Sequence, residues 1–331
     1  MEPLRLGVIG PGLIWSRSHE PALKRLGDTF QIAAFCASSE RRREEIAQAY
    51  PGAPFETDYH AFVRRADLDG VIVLTPIPLN APVALEALRA GKHVFLEKPM
   101  ARTLEEGEAL LQQAERSGQR LVVLEQDGYR QSWRRVRELL HAPELGQPVC
   151  YEFATNSRLG VDGPKRGFAS TAWRQQAEFP LGTLFDGGHH QMAMLGAIFG
   201  KATTVYASGV SLGSGYGAYD QVLMHLAHAS GLRGVISYST HLRGNSYFYV
   251  RGTGGMLTIE RERVIITTSA GEARAVELPT EAAHDVMWDA IAQAVQANVA
   301  ADYSPQDAFR ELVTLLAIER SIVRDQAVEI Q

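Results

Sequence analysis

Cysteine is nearly absent: Cys36 and Cys150 are the only two in 331 residues. Two thiols cannot build a disulfide framework or a cysteine metal cluster, and their scarcity fits a reducing compartment. Neither charge is in large excess, with 33 Lys and Arg against 38 Asp and Glu and a net charge of −5. No basic field is therefore available to hold a polyphosphate backbone, so nucleic acid is not an expected partner. No apolar run reaches the ~18 residues of a membrane span, so no membrane association is expected. The opening residues do not read as a signal peptide, because Glu2 is acidic and Gly7, Gly10, Pro11 and Gly12 break the apolar run. A cytoplasmic location is the expectation. Solenoid repeats and low-complexity tracts are missing too. What remains is a chain 45% hydrophobic, long enough for two domains with sizeable cores, which rules out disorder as a description of the whole.

Short apolar runs alternate with helical patterns up to about residue 125. Strands are predicted at 4–9, 31–36, 70–74, 93–96 and 120–124, with helices over 40–50, 81–90 and 104–117 between them. Such alternation implies a parallel sheet with helices on both faces. Past residue 126 the pattern changes. A helix (132–141), a strand (149–155) and a loop rich in Gly and Arg lead to a helix beginning near Gly182. Seven strand-like runs then follow between 203 and 278, separated by short polar turns, before two closing helices at 281–299 and 304–326. Successive strands on short turns imply an antiparallel sheet. The expectation is an α/β dinucleotide-binding Rossmann domain over 1–125, its doubly wound sheet parallel. An α+β domain with an open, mainly antiparallel sheet should follow over 126–331.

The first strand ends in Gly10-Pro11-Gly12-Leu13-Ile14-Trp15. Gly10 suits a tight turn, and Gly12 lets backbone approach a pyrophosphate resting on a helix N-terminus. Trp15 occupies the place of the third glycine of the usual fingerprint. At the end of the second strand, Ala37 stands where NAD enzymes carry an acid, and Ser38, Ser39 and Arg41 follow, a combination suited to a 2′-phosphate. NADP is therefore favoured over NAD, with Glu40 the alternative ribose partner.

Chemistry enters where a strand runs into Glu97-Lys98-Pro99, at the carboxyl edge where open α/β sheets bind ligands. The chain has only five lysines, and a partly buried lysine, unlike arginine, can release a proton near neutral pH. A second constellation is Asp186-Gly187-Gly188-His189-His190. Asp186 and His190, four apart, share a helical face, where the carboxylate can orient the imidazole for proton transfer. Two glycines inside a helix cost about 1 kcal/mol each, which suggests close approach of a ligand or another backbone. His189 and His190 diverge by ~100° around the helix, so no metal site is expected.

Together with Val73-Leu74-Thr75-Pro76, Ala87-Leu88-Arg89-Ala90-Gly91-Lys92-His93-Val94 and Trp173-Arg174, these motifs resemble the glucose–fructose oxidoreductase/inositol dehydrogenase (Gfo/Idh/MocA) family over nearly the whole chain. The resemblance implies an NAD(P)-dependent oxidoreductase acting on a hydroxyl or carbonyl carbon of a sugar, inositol or related polyol. It also implies that 126–331 is a substrate-binding and oligomerisation domain, forming a homodimer or homotetramer through the C-terminal sheet. It maps a catalytic lysine, aspartate and histidine onto Lys98, Asp186 and His190. Cofactor contacts map onto Gly10, Pro11, Gly12, Leu13, Ile14, Thr75, Pro76 and Glu97 beside Lys98 itself, and Asn80 stands where many members have a histidine. Departures are Pro180-Leu181-Gly182 in place of a glycine triplet, Ala193 in place of a second acid, and the stretch Glu125 to Arg130 in place of one carrying an asparagine. Candidate substrate contacts are Tyr129, Arg130, Trp133, Asn156, Arg158, Trp173, Arg174 and His241. The expected reaction is hydride exchange at nicotinamide C4, with His190 moving the hydroxyl proton and Lys98 stabilising charge on that oxygen. An NAD-dependent glycosidase working through transient C3 oxidation and a non-catalytic dinucleotide sensor are the competing classes.

Overall fold

The computed structural model describes residues 2–157, 171, 181–212, 218–242 and 244–331. It divides into two compact units, one made of 1–129 and 282–312, the other of 130–281 and 313–331.

The first unit contains β1 (Leu4–Ile9), α1 (Glu20–Lys24), β2 (Phe30–Cys36), α2 (Glu40–Ala49), β3 (Phe55–Glu56), α3 (Tyr59–Phe62), β4 (Gly70–Val73), α4 (Ile77–Arg89), β5 (His93–Glu97), α5 (Leu104–Ser117) and β6 (Leu121–Leu124). Its six strands run parallel in the order β3-β2-β1-β4-β5-β6. The order reverses between β1 and β4, and the carboxyl ends there form the crevice at which doubly wound sheets take ligands. The central strands are apolar on both faces because helices cover both. All of β4 is buried, and Gly70 within it has no room for a side chain, since a Cβ would lie 2.7 Å from the His93 carbonyl. At the first turn Gly10 has φ 77°, and a Cβ there would lie 2.8 Å from the Leu74 carbonyl. Helix α5 starts on Thr103, whose side chain accepts from the Glu106 N–H, and stops at left-handed Gly118.

This unit is discontinuous in sequence. The stretch 282–312, inside the 126–331 region expected to form the second domain, packs with 1–129. Helix α8 (Ala283–Gln296) supplies Trp288, fully buried with its ring 5.6 Å from Phe30 and 5.7 Å from Phe95. Helix α9 (Pro305–Arg324) begins in the first unit and ends in the second.

The second unit contains α6 (Gln131–Leu139), β7 (Pro148–Asn156), α7 (Thr183–Phe199), β8 (Ala202–Val210), β9 (Gln221–His228), β10 (Arg233–Ser239), β11 (Tyr247–Gly252), β12 (Gly255–Ile259), β13 (Arg263–Thr268), β14 (Ala273–Glu277) and, near the C-terminus, β15 (Val328–Glu329). Nine strands form one sheet in the order β14-β13-β12-β11-β7-β10-β9-β8-β15. Every pairing is antiparallel except β7 with β10, so the sheet is mixed at its centre. Alternation is clean along β9, where Val222, Met224 and Leu226 are buried while Leu223 and His225 are exposed. The buried face packs on α7, with Tyr151 stacked on Phe199 at 4.2 Å. Among the described residues no helix is long and apolar enough to cross a membrane.

Candidate active site

The expected site residues divide between the units. The glycine turn and Lys98 are in the first; Asp186 and His190 are in the second.

At the glycine turn, Gly10 N–H donates to Cys36 O (2.9 Å) and Gly12 N–H to Gly10 O (2.7 Å). A Cβ on Gly12 would meet only Gly10 O, at 3.7 Å, so open space lies over the turn for an approaching phosphate. Such a cradle at a helix start fits a dinucleotide pyrophosphate. Trp15 begins a π-helical turn (Trp15–His19) and is 2% exposed, its ring edge-on to Phe35 at 5.9 Å. Its indole fills the space against β2 that a third glycine would leave to closer packing. Past β2, Ala37 N–H donates to Glu56 O (3.1 Å). Ser39 and Arg41 are exposed, and Arg41 pairs with Glu45 (3.0 Å) through a side chain 86% exposed, a pairing cheap to exchange for a phosphate. Burial pushes the Cys36 thiol up to about 12, and the Asp58 and Glu56 charges add to this.

The Lys98 turn is held by side chains from outside β5. Lys98–Pro99 is a cis peptide. Asn80, on the second turn of α4 and 1% exposed, donates through Nδ2 to Glu97 O (3.0 Å) and Pro99 O (2.9 Å) and accepts from the Thr75 hydroxyl (2.8 Å). Both amide hydrogens of Asn80, which is expected to contact the cofactor, go to the lysine turn. Glu97 is held from its side chain as well. His19, fully buried, lies with Nε2 3.2 Å from Glu97 Oε2, and Trp288 donates through Nε1 to His19 Nδ1 (3.0 Å). Because Nδ1 is an acceptor, Nε2 carries the proton and donates to the carboxylate. Lys92, by contrast, is buried and structural: its ammonium donates to Arg65 O (2.7 Å) and Leu68 O (2.6 Å).

Beyond β6, Glu125 is fully buried and its Oε1 accepts from the Asp127 N–H (3.0 Å). Tyr129, expected to touch substrate, is 1% exposed, with its hydroxyl on Tyr303 O (3.4 Å) and its ring 5.8 Å from that of Tyr303. It is a core residue of the first unit. Tyr303 donates to Glu311 Oε1 (2.7 Å). Burial holds the Glu311 carboxyl well above the usual carboxylate range, and the charges of Glu125 and Asp127 push the same way.

In the second unit α7 opens on two successive left-handed residues, Leu181 (φ 57°) and Gly182 (φ 55°). Tyr238 donates to Thr183 O (3.1 Å), and Thr183 and Thr240 share a hydroxyl hydrogen bond (3.3 Å). Burial raises the Tyr238 phenol above its ordinary range, and the Asp186 charge adds to it. Asp186, Gly187 and His190 are half-buried, whereas Gly188 and His189 are buried and the His189 ring meets Phe185 edge-on at 5.5 Å. The helical spacing thus puts Asp186 and His190 on the partly open side and the other histidine in the core. Arg130 and Trp133 are half-buried at the start of α6, whose Gln131 and Ser132 N–H groups donate to the Glu281 carboxylate (2.9 and 3.1 Å). Asn156 is half-buried, and its Nδ2 donates to Asn245 O (3.1 Å) in the loop before β11. His241 is half-buried, its N–H on Ser239 Oγ (3.3 Å). Arg158, Trp173 and Arg174 lie outside the described residues.

Sequence reasoning missed His19, Trp288, Tyr303 and Glu311. His19 and Trp288 are 269 residues apart, so no local spacing marks the pair.

Residues 4–125 match the model of an oxidoreductase family with an NAD-binding Rossmann fold, and residues 133–258 match that of the GFO/IDH/MocA C-terminal domain. The chain is 29% identical over 208 residues to the scyllo-inositol 2-dehydrogenase (NADP(+)) of Bacillus subtilis, covering 63% of this chain and 55% of that protein. It is 28% identical over 277 residues to a dTDP-3,4-didehydro-2,6-dideoxy-alpha-D-glucose 3-reductase of Streptomyces violaceoruber, 78% of each chain. The match thus spans little more than half the length of the Bacillus relative. Among solved structures, an oxidoreductase from Thermotoga maritima superposes with a TM-score of 0.90 at 26% identity, covering 99% of this chain and 98% of the other.

Proposed function

This chain belongs to the Gfo/Idh/MocA family of oxidoreductases, and from that membership we propose that it transfers a hydride between a nicotinamide cofactor and a hydroxyl or carbonyl carbon of a sugar, inositol or related polyol. The observation that carries the reading is the Lys98 turn: an ammonium-bearing residue locked at the carboxyl edge of β5, in the same sheet as the Gly10 turn. The groups that fit the cofactor are the backbone of Gly10 to Ile14 for the pyrophosphate, with Thr75, Pro76 and Glu97 along the crevice edge. When bound, the nicotinamide supplies the hydride donor or acceptor. In the oxidative direction His190 removes the hydroxyl proton, Asp186 orients its imidazole, and Lys98 hydrogen-bonds the oxygen on which charge develops. The polyol class is supported by the names of the relatives, one acting on scyllo-inositol and one on a ketosugar.

NADP is favoured over NAD. No acid occupies position 37, and Ser38, Ser39 and the exposed Arg41 follow. The second unit, 130–281 and 313–331, bears Asp186 and His190 and supplies the substrate side. The protein acts in the cytoplasm, apart from nucleic acid and membranes, as a homodimer or homotetramer.

The test is a screen at 340 nm of inositols, sugars and ketosugars with NAD(H) and NADP(H) in parallel. Turnover is expected with at least one polyol, and Lys98→Met or His190→Asn should lower it by about 10²-fold or more. Tenfold preference for NAD would overturn the cofactor assignment. Glycoside cleavage without net NADH points instead to the glycosidase, and cofactor binding without turnover to the sensor.

A further inference from the structure

Lys98 stands between two carbonyls held by a single side chain. The main chain cannot hold them alone: the parallel pairing of β5 with β6 ends at Glu97, and Pro99 has no N–H to close a turn. Asn80 fills that gap from α4. Its Nδ2 hydrogens go one each to Glu97 O (3.0 Å) and Pro99 O (2.9 Å), which uses the full donor capacity of the amide nitrogen. Its Oδ1 takes the Thr75 hydroxyl (2.8 Å), so the amide cannot turn over without losing all three bonds. The same turn is restrained from its other side by the Trp288–His19–Glu97 chain, in which the bond from Trp288 selects the His19 tautomer that donates to Glu97.

We infer that Asn80 is a positioning residue that sets the aim of the Lys98 ammonium, with His19 as a second brace acting through Glu97. The main chain is thereby held at the peptide before residue 98 and at the carbonyl of the residue after it. A buried clamp with every donor satisfied holds a group more narrowly than a solvated loop does, and misplacement by about 1 Å lowers rates by about 10²-fold. The inference rests on the role proposed above for Lys98, but its test does not need the reaction.

The chain has only Lys24, Lys92, Lys98, Lys165 and Lys201, so reductive methylation with ¹³C-formaldehyde gives a small set of lysine signals, and Lys98→Arg assigns the one of interest. In Asn80→Asp, which is isosteric but turns an acceptor toward two carbonyls, the Lys98 signal of the cofactor-free protein is expected to move or broaden. Its titration midpoint should shift while the Lys24 and Lys201 signals stay in place. Asn80→His, which keeps one donor, should move it less. In turnover, Asn80→Asp should lower kcat about tenfold or more with the cofactor KM changed less than about threefold. If Asn80→Asp does not fold, Asn80→His carries the comparison. An unmoved Lys98 signal in the folded variant, or equal movement of all lysine signals, overturns the inference. Full activity in Lys98→Met would instead remove the catalytic reading and leave the positional one to be decided by the spectra.

Discussion

Gly187 and Gly188 are neighbours with different reasons to lack a side chain. A Cβ on Gly188 would lie 2.7 Å from Leu184 Cδ1 and 3.3 Å from Leu315 Cδ2, inside the core. A Cβ on Gly187 would meet only the Tyr238 hydroxyl, at 3.2 Å, on the half-buried side that carries Asp186 and His190. Gly188→Ala is therefore expected to destabilise by about 1–3 kcal/mol through overpacking. Gly187→Ala should come close to neutral, because about 1 kcal/mol of helix propensity offsets the displaced hydroxyl. Thermal melts of the two variants check the ordering, and equal losses would contradict it. The close approach expected at these glycines is thus, for Gly188, a packing requirement. Leu181 is a contrasting case: it is 1% exposed yet left-handed, so its buried side chain offsets a conformation that glycine would adopt without cost.

At the scale of elements, α9 presents Glu311 to Tyr303 in an environment that disfavours its charge. Its folded carboxyl is raised well above the 4.5 of an ordinary glutamate, chiefly by burial. The folded state therefore holds the proton that the unfolded chain releases. The stability from this group is fully present below about pH 4.5 and is lost as pH rises through the raised folded value. Glu311→Gln keeps a carbonyl oxygen for the Tyr303 hydroxyl and cannot ionise. Its melting temperature should match or exceed that of the parent at pH 7, with the margin growing toward pH 8.5 and closing toward pH 5. A margin that does not change with pH would show that the carboxyl is ionised in both states. The elements themselves were largely legible: period and apolar runs in the sequence located β1, β2, β4, β5 and β6 and the strand succession after residue 200, because local periodicity follows from which face is buried. The two-residue strands β3 and β15 escaped, since neither is long enough to carry a period.

At the scale of the whole molecule, one face of the nine-stranded sheet exposes large apolar side chains among the described residues. Tyr206, Leu223, Val235 and Tyr247 are 43%, 50%, 53% and 40% exposed. Register places Tyr206, His225, Val235, Glu152 and Tyr249 in one row across five strands. A sheet face that exposes large apolar side chains among polar ones suits a second copy of the chain. Sedimentation or light scattering should give a mass that is a multiple of 36.3 kDa, and Leu223→Asp with Val235→Asp should reduce it to the single-chain value. A wild-type monomer at micromolar concentration would refute the proposed assembly.

Residue order was enough to read the fold class, the glycine turn, the strand that delivers Lys98 and the helical face shared by Asp186 and His190. Each of these depends on residues within a few positions of one another, where spacing alone says which groups meet. Tertiary structure alone decided that 282–312 pack with the first unit, that Tyr129 lies in the core, and that Asn80 commits its amide to the lysine turn. It alone joined Trp288 to His19 and His19 to Glu97. A hydrogen bond requires two atoms within about 3 Å, and when the partners are far apart along the chain only the folded path brings them to that distance.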